Sequence, residues 1–198
     1  MSFLTELDVI NEMLASLGES PLNTIDEDHP LVPAGRRLLR FASMREQAKS
    51  WWFNKELVTL SPDPLSGAIV TPMDSIRVDP CNSSLHYVQR GRRLYQPHAP
   101  ASVDKYKFTA AVECWLVRNI AFEDLPPTAQ YLISCAAVMD FQKAYDADAQ
   151  KFQQIQLDYR AALTNLNAEH IRSQNVNLLY RPSIRHSLSQ MGVNHFTR

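Results

Sequence analysis

The run Trp51-Trp52-Phe53-Asn54-Lys55-Glu56-Leu57-Val58-Thr59-Leu60 decides the architecture, because the texture of the chain changes within it. From Phe53 to Leu60 aromatic and β-branched residues intermix as in a strand, and Pro62, Asp63, Pro64 and Gly67 then break the run. Before Trp51 the chain reads as helix. Three consecutive aromatics cannot all enter one core. Two are expected to pack a sheet onto a helical bundle, and one, assigned to Trp51, to meet another subunit, where aromatics are enriched.

Upstream, two helices are predicted. In the first, Thr5 can cap, Asp8 sits near the positive end of the helix dipole, and Leu7, Ile10, Met13, Leu14 and Leu17 recur at helical spacing. Gly18 supplies a left-handed stop, and Pro21 prevents resumption. After the acidic link Asp26-Glu27-Asp28-His29-Pro30, the second helix is expected from Pro33 to Ser50. It turns Leu38, Leu39, Ala42 and Ala48 inward and Arg36, Arg37, Arg40, Arg45 and Lys49 outward. The first helix is acidic through Glu6, Asp8 and Glu12. Helices of opposite charge can pair within one chain or between chains, or simply present two solvated faces.

Downstream of the break, short strands are expected at Ala68–Val70 and Ile76–Val78. Tyr87-Val88-Gln89-Arg90-Gly91-Arg92-Arg93-Leu94-Tyr95 reads as a hairpin turning at Gly91. A further strand from Thr109 to Ile120 sets Val112, Cys114 and Leu116 on one side and Ala111, Glu113, Trp115 and Val117 on the other. The prolines scattered through this block fit irregular edges rather than a central parallel sheet.

Helix returns at Pro127, where the missing N–H is harmless. Leu132, Ile133, Ala136, Ala137 and Val138 form a small-residue stretch suited to close packing. After a bend near Asp146–Asp148, Phe152, Ile155, Tyr159, Ala162 and Leu166 make an amphipathic stripe that fades by Ser173. The expected fold is α+β: an antiparallel-type bundle of about four helices from 1–51 and 123–175, with a small β insertion at 52–122. Residues 176–198 form an extended C-terminal arm. From His170 to Arg198 there is no Asp or Glu, while Leu178, Leu179, Tyr180, Ile184, Leu188, Met191 and Phe196 recur among polar residues. That composition suits an arm that orders on a partner rather than a frayed end.

Composition narrows the function classes. The chain has 198 residues, 45% apolar and 21% charged, with 20 Lys+Arg against 21 Asp+Glu for a net charge of -1. Such balance argues against a surface that wraps nucleic acid. The five isolated glycines cannot build a phosphate-cradling loop, and no GxSxG, HExxH or Cys-His cluster occurs. Cys81, Cys114 and Cys135 lack CxxC spacing, and the six histidines contain no i,i+4 pair. No cofactor or metal site, no signal peptide and no membrane span is expected, so a soluble protein of a reducing cytoplasm follows. Glu123 and Asp124 are adjacent carboxylates suited to helix-end electrostatics rather than acid–base chemistry. Arg90, Arg92 and Arg93 could meet a phosphate, an acidic partner or only water.

Several segments resemble a known family. Val9-Ile10-Asn11-Glu12-Met13-Leu14-Ala15-Ser16-Leu17-Gly18-Glu19-Ser20-Pro21-Leu22-Asn23-Thr24-Ile25 is similar to the opening of the tail tubular protein A family, adaptors of short-tailed (podovirus) bacteriophages. So are Trp52-Phe53-Asn54 with Leu60-Ser61-Pro62-Asp63, and Val88-Gln89-Arg90-Gly91 with Leu94-Tyr95. Phe122-Glu123-Asp124-Leu125-Pro126 before a long helix and the closing Thr197-Arg198 complete the set, in the same order and at similar spacing. Departures are Trp51, where a small or flexible residue is expected, and the weakly matching tail from Asn175.

The resemblance implies a non-enzymatic virion tail component, assembled in the host cytoplasm as a twelve-fold ring between portal and tubular nozzle. Tail fibres attach near that junction, and double-stranded DNA passes through the channel without sequence reading. On this reading Glu6 and Glu12 of one copy face Arg37 and Arg40 of the next, with Trp51 beside them. Tyr180, Arg181 and Arg185 anchor the arm to the portal, and Arg90, Arg92 and Arg93 of the insertion face nozzle or fibre. Two other readings compete: a tail-associated envelope glycan hydrolase using carboxylates such as Glu56, Asp63 or Glu123, and a cytosolic helical interaction module without viral context.

Overall fold

The computed structural model describes residues 4–81, 86–145 and 148–174. In chain order the elements are α1 (Glu6–Leu17), α2 (Val32–Gln47), β1 (Lys55–Leu60), β2 (Ser75–Pro80), β3 (Val88–Arg90), β4 (Arg93–Tyr95) and β5 (Val112–Arg118). A single 3-10 turn at Phe122–Asp124 then leads into α3 (Pro127–Tyr145) and α4 (Ala149–Ser173). The expected α+β class, helices enclosing a β insertion, is what the chain adopts. The arm at 176–198 lies outside the described residues.

Local chemistry sets the helix ends. The Thr5 hydroxyl accepts the Asp8 N–H at 3.2 Å, and the Asp8 carboxylate accepts the Thr5 N–H at 2.8 Å, a reciprocal capping box. Gly18 ends α1 at φ 81, a left-handed conformation that costs glycine little. Asn11 then holds the returning loop, donating to the Leu22 carbonyl at 3.0 Å and accepting its N–H at 2.8 Å. A Cβ at Gly35 would stand 2.6 Å from Ile10 Cδ1 and 3.2 Å from Met13 Sδ, so α1 and α2 cross where α2 has no side chain. The Asp148 carboxylate caps α4 by accepting the N–H groups of Gln150 and Lys151.

α3 is the axis of the bundle. Leu132, Ile133, Cys135, Ala136, Ala137, Val138 and Phe141 are buried around its circumference, because α1, α2 and α4 all pack on it. Its small side chains let three neighbours approach closely. Val9, Ile10, Met13 and Leu14 of α1, Leu39 and Ala42 of α2, and Ala162 and Leu166 of α4 close the core.

The insertion has its own smaller core. β5 is the central strand of an antiparallel sheet ordered β1-β5-β2, and β3 and β4 form a separate hairpin turning at Gly91, φ 60. Ile69, Val78, Tyr87, Leu94, Val112, Cys114 and Leu116 fill the space between them.

Four expectations are corrected. α2 stops at Gln47, three residues early, as the chain turns through Ser50 at φ 68 to enter the sheet. The strand expected at Ala68–Val70 shrinks to isolated bridges, Ala68 to Lys107 and Val70 to Arg93, because Pro64 and Pro72 leave no length for a ladder. Val117, expected on the open side of β5, is fully buried, since the end of this central strand is covered on both faces. Finally, Trp51, Trp52 and Phe53 all reach one core: Trp51 is inside the bundle, and the other two pack against it half-buried. They manage this because the chain is turning there, so successive side chains need not alternate.

Candidate assembly interfaces

The junction between bundle and insertion is a hub of buried amides. Gln47 donates from Nε2 to Ser43 Oγ and to the Ile120 carbonyl, each at 2.9 Å, and its Oε1 accepts the Ile120 N–H at 2.8 Å. Asn54 donates to the carbonyls of Gln47 at 2.9 Å and Arg118 at 3.0 Å, and accepts the Trp51 N–H at 2.9 Å. These two side chains rivet the strand leaving the bundle to the strand returning to it. Arg118 extends the hub into the sheet, pairing with Glu56 of β1 at 2.8 Å and Asp74 before β2 at 2.7 Å.

Beside the hub, Glu46 is a carboxylate only 2% exposed. It receives Lys49 Nζ at 2.6 Å, Arg45 Nε at 3.3 Å and the Tyr159 hydroxyl at 3.3 Å, and so ties α2 to α4. Burial alone would lower the Lys49 pKa, but its bonds to Glu46 and Tyr159 outweigh that and raise it. Trp51 Nε1 donates to the Glu46 carbonyl at 2.8 Å, and the His170 ring stands edge-on to Trp51 at 5.5 Å. Trp51 is thus enclosed by its own chain.

The outer face of α2 is a basic ridge. Arg36 pairs within the chain to Glu6 at 3.2 Å. Arg37 and Arg40 are exposed and form no ion pair among the described residues. A cleft of about 320 Å³ runs beside the ridge, lined by Glu6, Arg36, Leu39 and Arg40 on one wall and Ile120, Phe122 and Glu123 on the other. Glu12 lies elsewhere, at the α1–α3 contact, where it accepts a hydrogen bond from Ser134 Oγ at 2.9 Å. The structure therefore separates the four charged residues that sequence reading grouped: Glu6, Arg37 and Arg40 share a face, and Glu12 does not.

At the hairpin, Arg90 and Arg93 are directly opposed register partners, yet each rests on a ring: Arg90 Cζ lies 3.6 Å from the Tyr95 centroid and Arg93 Cζ 4.8 Å from that of Tyr106. The two tyrosines meet at 5.0 Å. Stacking offsets the repulsion between opposed arginines and holds both guanidinium groups outward. Arg92 reaches instead to the Thr71 carbonyl at 3.4 Å.

The profile of one family, described as tail tubular protein, matches residues 7–176, which takes in both bundle and insertion. The chain belongs to the tail tubular protein family. It is also similar to tail tubular protein A of Klebsiella phage KP34, 29% identical over 126 residues. That alignment covers 64% of this chain and 65% of the relative, so the chain spans just under two thirds of the relative's length. Tail tubular membership carries the coarse assignment, a structural component of a phage tail.

Within that assignment the remaining candidates take local places. Glu56 is bound to Arg118, and the exposed Asp63 accepts N–H groups from Leu65 and Ser66 in a turn. Glu123 lines the α2 cleft, whose lining includes neither of them. Cys114 and Cys135 are buried thiols, each pushed up to about 11 by desolvation, and Cys81 is exposed. Among the described residues no His, Cys, Asp and Glu cluster could hold a metal, and no helix is long and apolar enough to cross a membrane. Tyr180, Arg181 and Arg185 lie outside the described residues. Sequence reading missed Gln47, Glu46 and His170, and met Asn54 only within the Trp52-Phe53-Asn54 motif. A lone amide beside an aromatic cluster was the available signal.

Proposed function

We propose that this tail tubular protein is a virion adaptor that assembles as a twelve-fold ring between the portal and the tail nozzle. The observation that carries the reading is the family match across 7–176, through both the bundle and the insertion. The bundle supplies a rigid wedge for a ring, and the exposed Arg37 and Arg40 supply charge for a neighbour. Glu6 contributes through its pair with Arg36, and Glu12 from the other side of the bundle. With Trp51 enclosed, its part is to hold α2 in place rather than to offer a ring face. The hairpin, with Arg90 and Arg93 held outward and Arg92 beside them, faces nozzle and fibres. Tyr180, Arg181 and Arg185 of the arm grip the portal. Double-stranded DNA passes through the centre without sequence reading, in keeping with a chain of net charge -1 that must not retain its cargo.

Electron microscopy of the purified protein mixed with its portal tests this directly. The expected image is a ring of twelve copies seated on the portal. Absence of the protein from virions, or no association with the portal, would overturn the reading. Deleting 176–198 should abolish portal binding while leaving the helical content intact.

A further inference from the structure

We propose that neighbouring copies join head to tail through two unlike faces of the bundle, Arg37, Arg40, Phe41 and Met44 on α2 and Glu12, Tyr131 and Asp158 on the opposite side of α3. This inference rests on the ring reading above and specifies its contact.

The first face is apolar and basic. Arg37, Phe41 and Met44 follow one another at helical spacing, and Arg40 flanks them. Phe41 is 51% exposed and Met44 46%, on a helix whose opposite side fills the core. The second face is acidic and aromatic. Tyr131 is 46% exposed on α3, the helix that both α1 and α4 pack against. Ser134, three residues after Tyr131 on α3, donates to Glu12 at 2.9 Å and so sets Glu12 beside the same stretch of α3. The Tyr131 phenol pKa is raised first by Cys135, then by burial, and further by the charges of Asp158 and Glu12. Among the described residues, Glu12 is engaged by Ser134 and Asp158 by a long bond from Gln154 at 3.5 Å.

The faces point away from each other. Tyr131 and Asp140 are nine residues apart on α3, about half a turn out of phase at 3.6 residues per turn. Arg45, next to Met44, binds Asp140 at 2.7 Å and so fixes the outer face of α2 on the Asp140 side. No copy can bring its own two faces together. A second copy can, placing two arginines without ion-pair partners against two weakly engaged carboxylates and Phe41 against Tyr131. A symmetric contact of the α2 face with itself would set arginine against arginine, and like charges across an interface repel. The contact is therefore heterologous, the kind that closes into a ring when its rotation divides the circle.

The test uses the full chain with its portal. In a Cys81→Ser background, Met44→Cys with Gln154→Cys, one turn from Asp158, is treated with a short bismaleimide. A ladder of covalent oligomers is expected, with none from either cysteine alone. Arg37→Glu with Arg40→Glu should weaken assembly at least tenfold, as should Glu12→Lys with Asp158→Lys, and all four together should restore it. Circular dichroism verifies that each variant is folded. Rings without the ladder, or undiminished assembly of the charge-reversed variants, would overturn this contact and leave the ring reading standing. Dimers from Met44→Cys alone would show a symmetric contact and also overturn it. A wild-type chain that stays monomeric on the portal, with no ladder, would overturn both.

Discussion

The bundle and the insertion solve the same packing problem with different means. Among the described residues the bundle core holds twenty buried side chains drawn from all four helices and their flanking loops, around α3, which the other three helices pack against. The insertion core holds seven, drawn from short strands and loops. Apolar burial dominates in the bundle, with Glu46 and its partners also tying α2 to α4. The insertion buries less, and its orientation is held by directional bonds at the root, from Gln47, Asn54 and Arg118. The difference teaches where rigidity comes from: burial holds the wedge, and hydrogen bonds aim the extension.

The contrast can be broken most forcefully in the cores. Phe141→Ala removes the largest fully buried side chain of the bundle and is expected to cost about 3–5 kcal/mol. Helix and sheet signals should then be lost together in a urea titration. Leu94→Ala in the insertion should cost about 2–4 kcal/mol at its own site yet leave the helices protected from amide exchange. If Leu94→Ala melts the helices as readily, the two cores are one cooperative unit and the comparison fails.

A smaller effect is expected at the root. Gln47→Leu keeps the volume but leaves both backbone groups of Ile120 and the Ser43 hydroxyl without their partner, at about 1–3 kcal/mol. Exchange should quicken at the β1 and β5 amides while α3 stays protected. Equal quickening in α3 would mean that the hub stabilises the bundle rather than the joint.

The smallest effect lies at the tip of α1. Thr5→Ala removes a cap and should cost about 1 kcal/mol. The Thr5 hydroxyl and backbone N–H hold the Asp8 carboxyl below its ordinary 3.8. A depressed folded pKa gives stability that is present above the unfolded value and lost as pH falls through the folded one. The Thr5→Ala penalty should therefore be full at about pH 7 and shrink toward about pH 2, as read by urea midpoints at each pH. A penalty that does not change with pH would assign the effect to helix propensity instead.

Much of this was legible in the residues. Thr5, Asp8 and Gly18 announced α1, Pro127 the start of α3, and Gly91 the hairpin, each through rules that act over a few residues. The surfaces were legible in part. The arginines of α2 and of the hairpin were visible as charge, but not that Arg36 would be taken by Glu6 or that Arg90 and Arg93 would be stacked on Tyr95 and Tyr106. That Glu6 would sit by α2 and Glu12 by α3 was not legible, because charge counts along a helix carry no information on which neighbour covers which face. Trp51 was misread for a related reason. The expectation that three consecutive aromatics cannot all enter one core fails at a point where the chain is still turning out of a helix.

What the amino-acid order settled alone was the set of elements and their ends, since caps, glycine turns and apolar periodicity depend on neighbours a turn or two away. Only the tertiary structure decided that a glutamate and a glutamine would be buried at the end of α2. Gln47 is buried at no great cost because Ile120, 73 residues later, returns both an N–H and a carbonyl to it. No local pattern encodes a partner at that distance, because a buried polar group is tolerable only where the rest of the fold has already placed its hydrogen bonds.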